Sequence, residues 1–461
     1  MSRRATYRFL SVVALFVVAF GLSQASAQGG AAVTAYSPYT MFGIGELQTI
    51  GATPMRAMGG TGVAWRSAQM PSMINPAGYS ATLPKSFIFG FGAEGNFLQN
   101  AQRQYDSSGA YTTAKNGKNT INFHEIAVQF PVAKRLGIGV SLMPYSSVGY
   151  KMSFLDQSDE IAGNVGAASY TYSGDGDVTE VKLGIGWEPF KNFSIGVAAK
   201  YYWGKINHNY TAAVDNNFVG ENSFYSVIGA DEYAISDFKF QVGLQWNIIS
   251  NEKRMLTFGA TYDYGGHLRN KITKSIVLNN TYSTQTFYEN KDGQMRLPHM
   301  ARAGFMYHDP KFAAALEYEF QAWGSGNDHF SESVNNGLTV QYVDTHTAKL
   351  GFSYTPNRFD ARNYLRRISY RVGYRWGDYY QAYNGQRIQQ MAVTAGFGFP
   401  LKFMGTSSID VCFEYGLRGS HASVINSVGE RVGMIRQDYF KIGLGFSLFG
   451  EDYWFVRPKY D

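Results

Sequence analysis

Along most of the chain, apolar residues occupy every second position in segments of about ten residues. In the last of these segments Phe440, Ile442 and Leu444 alternate with Lys441 and Gly443. Successive side chains of a strand point to opposite faces, so this alternation predicts strands with one apolar face and one small or polar face. The pattern recurs in fourteen segments: 87–99, 121–131, 136–150, 179–189, 193–206, 233–248, 255–269, 295–307, 311–322, 340–355, 367–380, 388–400, 407–418 and 437–449.

The connections between these segments alternate between short and long. This asymmetry is typical of outer-membrane barrels, whose short turns face the periplasm and whose long loops face outward. Two connections depart from it, since 356–366 is long for a periplasmic turn and 381–387 is short for an outer loop. The predicted short turns lie at 133–134, 189–191, 251–253 and 308–310, and the predicted long loops at 100–120, 151–178, 207–232, 270–294, 323–339 and 419–436.

The N-terminus predicts export from the cytoplasm. Arg3, Arg4 and Arg8 precede the apolar run Phe9–Gly21, and small residues follow at 25–27. We therefore expect residues 1–27 to be a secretory signal peptide. Beyond it no run of 18 apolar residues occurs, so a helical membrane span is not expected. These features predict an all-β protein, a transmembrane antiparallel β-barrel of about 14 strands in the outer membrane of a Gram-negative bacterium.

Composition and charge exclude several other classes of protein. Cys412 is the single cysteine of 461 residues, which excludes an internal disulfide and a cysteine-based zinc cluster. Only 16% of residues are charged, against roughly 25% in soluble proteins. Removal of the signal peptide lowers the formal net charge from +6 to +3, because it removes three arginines and no acidic residue. Outer-membrane lipids, and not nucleic acid, are therefore the expected partners.

A fourteen-stranded barrel encloses more space than its own side chains fill, so its lumen must be plugged or filled with water. Residues 28–84 show no sustained alternation and are rich in Gly, Ala, Met and Pro. We therefore interpret 28–84 as an N-terminal lumenal hatch, 85–450 as the barrel and 451–461 as a periplasmic C-terminal extension.

Two stretches of this hatch resemble a known family. Met55–Ala64 (MRAMGGTGVA) and Asn75–Tyr79 (NPAGY) look like the glycine-rich hatch and NPA box of the long-chain fatty-acid transporter family, the FadL/TodX-like outer-membrane barrels. The family commonly carries acidic residues just after the glycine-rich turn, whereas this chain has Trp-Arg-Ser-Ala at 65–68. Further stretches along the mature chain are similar to the Bacteroidota-type branch: Met143–Tyr150, Leu297–Pro298, Gly396–Pro400 and Trp454–Tyr460.

The resemblance implies a hatch that closes the lumen and a kinked third strand through which hydrophobic ligands leave sideways. Proline cannot donate to a strand ladder, so Pro144 should produce a bulge or a local opening. Alternatively, Pro144 simply ends the third strand at the membrane surface. The expected hatch residues are Arg56, Gly59, Gly60, Gly62, Asn75, Pro76 and Ala77, and the expected kink residues are Pro144, Tyr145, Ser146 and Ser147.

Charged residues fall on the side of the strands that faces away from lipid. Unpaired buried charges are costly, so these residues are expected to have partners. One interpretation is that they pair across the lumen and hold the hatch, and the other is that they bind a polar or amphipathic ligand. They are Lys182, Lys200, Glu317, Glu319, Arg371, Arg375, Asp410, Glu414, Arg418 and Lys441.

Signals of catalysis and metal binding are weak. His124 and Glu125 begin like a zinc-protease helix, but Val128 stands where the second histidine is required. Asp175 and Asp177 offer too few ligands for a cation, and a turn is the favoured interpretation. We therefore expect neither an enzyme nor a metal or cofactor site.

Two functions fit these features. Passive uptake of hydrophobic or amphipathic small molecules, through a hatch-gated lateral opening, predicts a continuous apolar pocket that meets the kink at Pro144. A non-transporting barrel that is an accessory or structural subunit of a larger outer-membrane complex, for secretion or for barrel and lipoprotein assembly, predicts a permanently plugged lumen. Long loops such as 207–232 and 270–294 would then bind other outer-membrane or periplasmic proteins.

Overall fold

The structure of the chain is a computed structural model. It describes residues 37–451, apart from 107, 157–166, 216–226, 252, 279–282, 294, 325–332, 335–337, 402–406, 427–428 and 430. The signal peptide at 1–27, the first part of the hatch at 28–36 and almost all of the C-terminal extension, including Trp454–Tyr460, lie outside the described residues.

Fourteen antiparallel strands form the wall of the molecule. Each pairs with the next along the chain, and the last pairs with the first, so the sheet closes into a barrel. The prediction of a closed fourteen-stranded barrel is therefore confirmed. The strands are β1 Ser86–Tyr105, β2 Tyr111–Ala133, β3 Leu136–Asp156, β4 Ala167–Phe190, β5 Phe193–Asp215, β6 Val227–Ser250, β7 Met255–Asp263, β8 His299–His308, β9 Phe312–Ala322, β10 Thr345–Tyr354, β11 Ser369–Tyr383, β12 Gln386–Pro400, β13 Ser408–Arg418 and β14 Ile435–Glu451.

Several predicted loops are in large part strands. β1 and β2 continue as a paired hairpin up to residues 105 and 111, and β3 to β6 extend in the same direction. Both faces of these extensions are rich in polar residues, so the apolar alternation that marks a membrane strand is absent there. Shorter strands in the remaining connections are Gly266–His267, Asn270–Leu278, Ser283–Asp292, Arg296–Leu297, Ser333–Val334, Leu338–Tyr342, Ser423–Ile425 and Arg431–Gly433.

The barrel is apolar outside and polar inside. In β14 Phe440 and Ile442 are exposed, whereas Lys441 and Ser447 on the opposite face are buried. This inversion of a soluble protein is typical of a barrel whose outer face contacts lipid. Among the described residues, none of the helices is both long and apolar enough to cross a bilayer.

Residues 37–84, named here the N-terminal segment, lie inside the barrel. The segment contains two 3-10 helices, a short strand and one α-helical turn, and each of the fourteen strands contributes a residue that contacts it. The four elements are Pro38–Met41, Glu46–Leu47, Thr53–Arg56 and Pro76–Ala81. The contacting wall residues, from β1 to β14, are Gly90, Glu125, Gly139, Lys182, Gly196, Gly243, Gly259, Gly304, Glu317, Gly351, Gly373, Thr394, Arg418 and Gly445.

Inward-facing glycines let the backbone of the N-terminal segment approach the wall. A Cβ atom at Gly373 would lie 2.1 Å from the backbone nitrogen of Gly59, closer than real contacts allow. The N-terminal segment therefore fits against bare strand backbone. The structure also has a 3-10 turn, Tyr364–Arg367, in the connection between β10 and β11.

Gly373→Ala should therefore disturb the seating of the N-terminal segment, at a cost of about 1–3 kcal/mol from overpacking. Gly443→Ala is the matched control, because its new Cβ would meet no atom closer than 3.6 Å. Thermal unfolding of the detergent-solubilised protein and tryptic cleavage within 37–84 are the measurements. Equal midpoints and equal cleavage for the two variants would contradict the tight fit.

Candidate functional site

The candidate site is the interface between the N-terminal segment and the inner face of the barrel. Asn75 of the N-terminal segment forms hydrogen bonds both to that segment and to the wall. Its Nδ2 donates to the carbonyl oxygens of Val63 (2.8 Å) and Leu244 in β6 (2.9 Å), and its Oδ1 accepts from the backbone N–H of Ala77 (3.0 Å). The last bond caps the 3-10 helix that begins at Pro76. The NPA box thus holds a helical turn against the wall.

The glycine-rich turn is held by side chains of the barrel. Gly59 and Gly60 have φ angles of +74° and +82°, a region that favours glycine. The Gly59 N–H donates to Thr394 Oγ1 at 2.9 Å, and the N–H groups of Gly62 and Val63 donate to Glu317 Oε2 at 2.7 and 2.9 Å. The Gly59 N–H also donates to the Arg56 carbonyl within the turn at 3.2 Å, whereas the Gly62 and Val63 donors are satisfied by the polar inner face.

Arg56 and Arg66 anchor the N-terminal segment by ion pairs. Arg56 pairs with Glu94 of β1, and both side chains are almost fully buried. Arg66 lies 3.0 Å from Glu188 of β4 and also donates to Ser194 Oγ at 2.8 Å. Arg66, which stands where the family commonly has acidic residues, thus has a carboxylate partner on the wall.

Lumen charges of β4, β5 and β7 to β10 form a continuous ladder of ion pairs. The ladder runs from Glu180 through Lys200 to Asp263, continues through Arg302 and Glu319, and ends at Lys349 and Glu317. Its distances, in that order, are 3.4, 2.5, 3.1, 2.7, 2.7 and 3.0 Å. Because Glu317 also binds the glycine-rich turn, the ladder connects the wall directly to the N-terminal segment.

The other predicted lumen charges also lie on the inner face. Arg371 is 2.5 Å from Asp410, and Arg375 is 2.6 Å from Glu414. The remaining three contact the N-terminal segment or an aromatic ring. Lys182 Nζ donates to the Met73 carbonyl at 2.7 Å, Arg418 pairs with Glu46 at 2.9 Å, and Lys441 Nζ lies 5.5 Å from the ring centroid of Tyr439.

Sequence reasoning missed several partners of these charges. Glu94, Asp263, Arg302 and Lys349 follow the same inward register as the charges that were predicted, so strand alternation could have found them. Glu46 could not be found this way, because the N-terminal segment has no alternation. His124 and Glu125 are both buried, since a register shift between β1 and β2 turns these neighbours inward, where each contacts Thr53.

Glu46 is the acidic residue of the N-terminal segment that meets the wall. Burial acts to raise the pKa of Glu46, but the charges of Arg418 and Lys441 outweigh burial, so its pKa lies below the ordinary value. A depressed carboxyl pKa contributes stability at neutral pH that is lost as the pH falls through that pKa. The ion pair with Arg418 therefore stabilises the seated N-terminal segment near neutral pH.

The third strand changes its partner close to Pro144. Pairing of β3 with β2 ends at Leu142, which faces Ile126, and pairing with β4 shifts register between Pro144 and Ser146. Beyond this point the N-terminal segment replaces β2. Glu46 and Leu47 pair with Ser147 and Ser146, and the Gln48 N–H donates to the Tyr145 carbonyl at 2.9 Å. The edge of β3 that leaves β2 is thus paired from inside the barrel.

The space beside this edge is filled largely by aromatic side chains. The rings of Tyr145 and Tyr202 are 4.8 Å apart and edge to face, in a buried cluster that also contains Val148 and Tyr150. A cavity of about 110 Å³ next to Tyr145 is lined by charged residues that include Arg302 and Arg418. Its lining is not the continuous apolar surface that ligand uptake requires.

A larger cavity of about 330 Å³ lies at the short-turn end of the lumen. Trp65 and Met70 of the N-terminal segment line it together with the connections that follow β8 and β10.

The structure describes no group of three or more His, Cys, Asp or Glu side chains that could hold a metal ion. Within the described chain, Asp175 lies in β4 and accepts from Asn207 Nδ2 at 3.1 Å.

The buried pair formed by Glu46 and Arg418 should contribute strongly to stability. Glu46→Gln leaves the Arg418 charge buried without a carboxylate and should cost about 3–5 kcal/mol, whereas removal of both charges in Glu46→Leu/Arg418→Met should cost less. Asp292→Asn, in an exposed pair with Lys271, is the control and should leave the midpoint close to that of the wild type, because exposed ion pairs contribute little. Thermal midpoints in detergent test this order, and a Glu46→Gln midpoint equal to that of Asp292→Asn would contradict it.

Several solved structures share this fold. A FadL homologue of Pseudomonas aeruginosa has a TM-score of 0.57 at 13% identity, with 88% of this chain and 99% of that chain covered. The toluene transporter TodX of Pseudomonas putida has a TM-score of 0.54 at 17% identity, covering 89% and 100%. The monoaromatic hydrocarbon channel CymD has a TM-score of 0.53 at 14% identity, covering 90% and 98%. At such identities the likeness concerns the fold.

Sequence comparison gives the family itself. Among curated proteins, none matches this chain. The sequence profile of the family described as BamG matches residues 8–461, which is nearly the whole chain and includes both the N-terminal segment and the barrel. This chain therefore belongs to the BamG family.

Proposed function

We propose that this chain is a non-transporting outer-membrane β-barrel that serves as an accessory or structural subunit of a larger outer-membrane complex, one for secretion or for barrel and lipoprotein assembly. The observation that carries the proposal is the contact of the N-terminal segment with all fourteen strands of the wall, including its pairing with the released edge of β3. In this proposal the hatch is a fixed plug.

The plug is held by interactions that a moving gate would have to break repeatedly. Arg56, Arg66 and Glu46 each form an ion pair with the wall, and the glycine-rich turn bonds to Glu317 and Thr394. Breaking one buried pair costs about 3–5 kcal/mol, so opening would need a large compensating free energy from a ligand. Membership of the BamG family leaves a role in a protein complex open.

The outer surface supports the proposed location. Exposed apolar residues such as Phe240, Leu316 and Val372 form a band around the barrel, as expected for a protein solvated by outer-membrane lipids. In outer-membrane barrels the short turns face the periplasm, which would place the long hairpins of β1 to β6 at the cell surface. Other outer-membrane and periplasmic proteins could then bind at either end.

Passive uptake of hydrophobic or amphipathic molecules is the second candidate. The observation in its favour is the separation of β3 from β2 after Leu142, which would provide the lateral opening that the resemblance implies. TodX is named as a toluene transporter and CymD as a monoaromatic hydrocarbon channel, and both share the fold of this chain. In this alternative, residues 46–48 would have to leave β3 for a ligand to pass.

The first test is purification of the tagged protein from its own outer membrane in mild detergent. We expect stoichiometric protein partners that remain bound in salt, together with no retained lipophilic ligand, both detected by mass spectrometry. A solitary barrel carrying an amphipathic ligand would contradict the proposal and support uptake.

A disulfide that locks the N-terminal segment to β3 separates the two functions further. Leu47 and Ser146 are paired residues on neighbouring antiparallel strands, so Leu47→Cys/Ser146→Cys has suitable spacing for a bond. We expect the oxidised lock to leave growth and partner recovery unchanged, because a fixed plug does not move. Leu47→Cys alone and the reduced double variant are the controls. Partner loss or a growth defect that appears only on oxidation would show that the segment must move.

A further inference from the structure

The cavity at the short-turn end has no role in the proposed plug. Its floor comes from the N-terminal segment, with Trp65 and Met70, and its wall from inward-facing residues such as Met306 and Arg371. Residues of the short turn after β8, such as Asp309 and Lys311, border it at this end of the barrel. An apolar side chain could enter its volume of about 330 Å³.

Positive charge surrounds this cavity. Lys311, Arg358 and Arg367 line it, together with Arg66 and Arg371, which are paired with the wall carboxylates of Glu188 and Asp410. Asp309 is the one carboxylate among its described lining residues. The Asp309 carboxylate is already engaged, since it accepts from the backbone N–H groups of Lys311 and Phe312 at 2.8 and 2.7 Å. The cavity therefore has an excess of cationic groups that its own carboxylate does not neutralise.

Arg358 and Arg367 carry this excess, because neither forms an ion pair with a carboxylate of the described residues, although Arg358 donates to Gln69 Oε1. Arg371 is only 5% exposed, pairs with Asp410 through one nitrogen, and has no hydrogen-bond partner for its Nε among the described residues. Burial and the like charge of Arg371 lower the pKa of Arg358, which lies in the connection after β10. A carboxylate placed between these arginines would relieve that repulsion.

The connection between β10 and β11, residues 355–368, borders the cavity and is ordered. Asp360 accepts from the backbone N–H groups of Arg362 and Asn363 at 2.9 Å each, and the Asn357 N–H donates to the Arg366 carbonyl at 2.8 Å. Within this ordered connection Phe359 is 89% exposed and Leu365 is 63% exposed. Exposed apolar side chains on a hydrogen-bonded turn, next to a basic cavity, are features of a protein-binding surface.

We infer that this cavity and the 355–368 connection form a docking site for an acidic, extended segment of a partner protein. An apolar side chain of that segment enters the cavity, its carboxylates bind Arg358 and Arg367, and its flanks cover Phe359 and Leu365. The inference rests on the proposed function, in which partner proteins bind this barrel, and adds the surface and the chemistry of one partner. The inference also assigns a role to the connection at 356–366, which is longer than expected for a periplasmic turn.

Site-specific photocrosslinking in the full-length chain tests this site. Phe359 is replaced by the photoreactive amino acid benzoylphenylalanine, and the protein is irradiated in its own outer membrane. We expect a crosslink to one protein, mapped by mass spectrometry to a segment rich in Asp or Glu. Arg358→Glu/Arg367→Glu in the same background should lower the crosslink yield about tenfold or more, because it places like charges across the interface.

Lys253→Glu/Arg254→Glu is the matched control. It makes the same change of charge in the exposed turn between β6 and β7 at the same end of the barrel, outside the cavity lining, and should leave the crosslink yield unchanged. The heat-dependent shift of the barrel on gels verifies that each variant is folded.

The outcomes are distinct. No crosslink, a crosslink to lipid alone, a partner segment without carboxylates, or equal yields for the two charge-reversal variants would each overturn the docking site. If the wild-type protein retains stable partners while the crosslink fails, the docking site is wrong and the accessory function stands. If the wild-type protein retains no partner at all, the proposed function itself fails.

Discussion

In hydrocarbon a backbone N–H or C=O group has no water to bond with, so each must find a partner inside the protein. The wall meets this requirement by closing fourteen strands into a ring. At Leu142, however, β3 leaves β2, and closure alone no longer supplies a partner. The N-terminal segment supplies it, by pairing Glu46 and Leu47 with the released strand. The N-terminal segment therefore completes the backbone pairing of the wall at this edge.

The same requirement governs charge. Side chains such as Lys200, Arg302 and Lys349 are buried, and each is paired with carboxylates of the inner wall. Glu317 connects this network to the glycine-rich turn by accepting a hydrogen bond from its backbone. This network holds the N-terminal segment against the wall in the position that the structure describes. It also explains why a chain of low charge content concentrates charged residues along its inner face.

Strand alternation was enough to predict the number of membrane strands and the inward position of Lys200 or Asp410. Strand alternation could not predict segments that lack one apolar face and one polar face. The extensions of β3 to β6 are polar on both faces, and the N-terminal segment has no repeat, so neither the hairpins nor Glu46 could be predicted. The resemblance indicated Asn75 as a site residue, but its bond to Leu244 joins positions far apart in sequence, which a local pattern does not contain.

Hydrogen–deuterium exchange on the purified full-length protein tests most directly whether the plug is fixed. Amides between Glu46 and Ala64 should exchange as slowly as those of β10 and β11, because opening the plug would require the same buried ion pairs and hydrogen bonds to break. Slow exchange throughout that segment is the result this account predicts. Exchange orders of magnitude faster than in the barrel strands would show a mobile hatch and contradict the account.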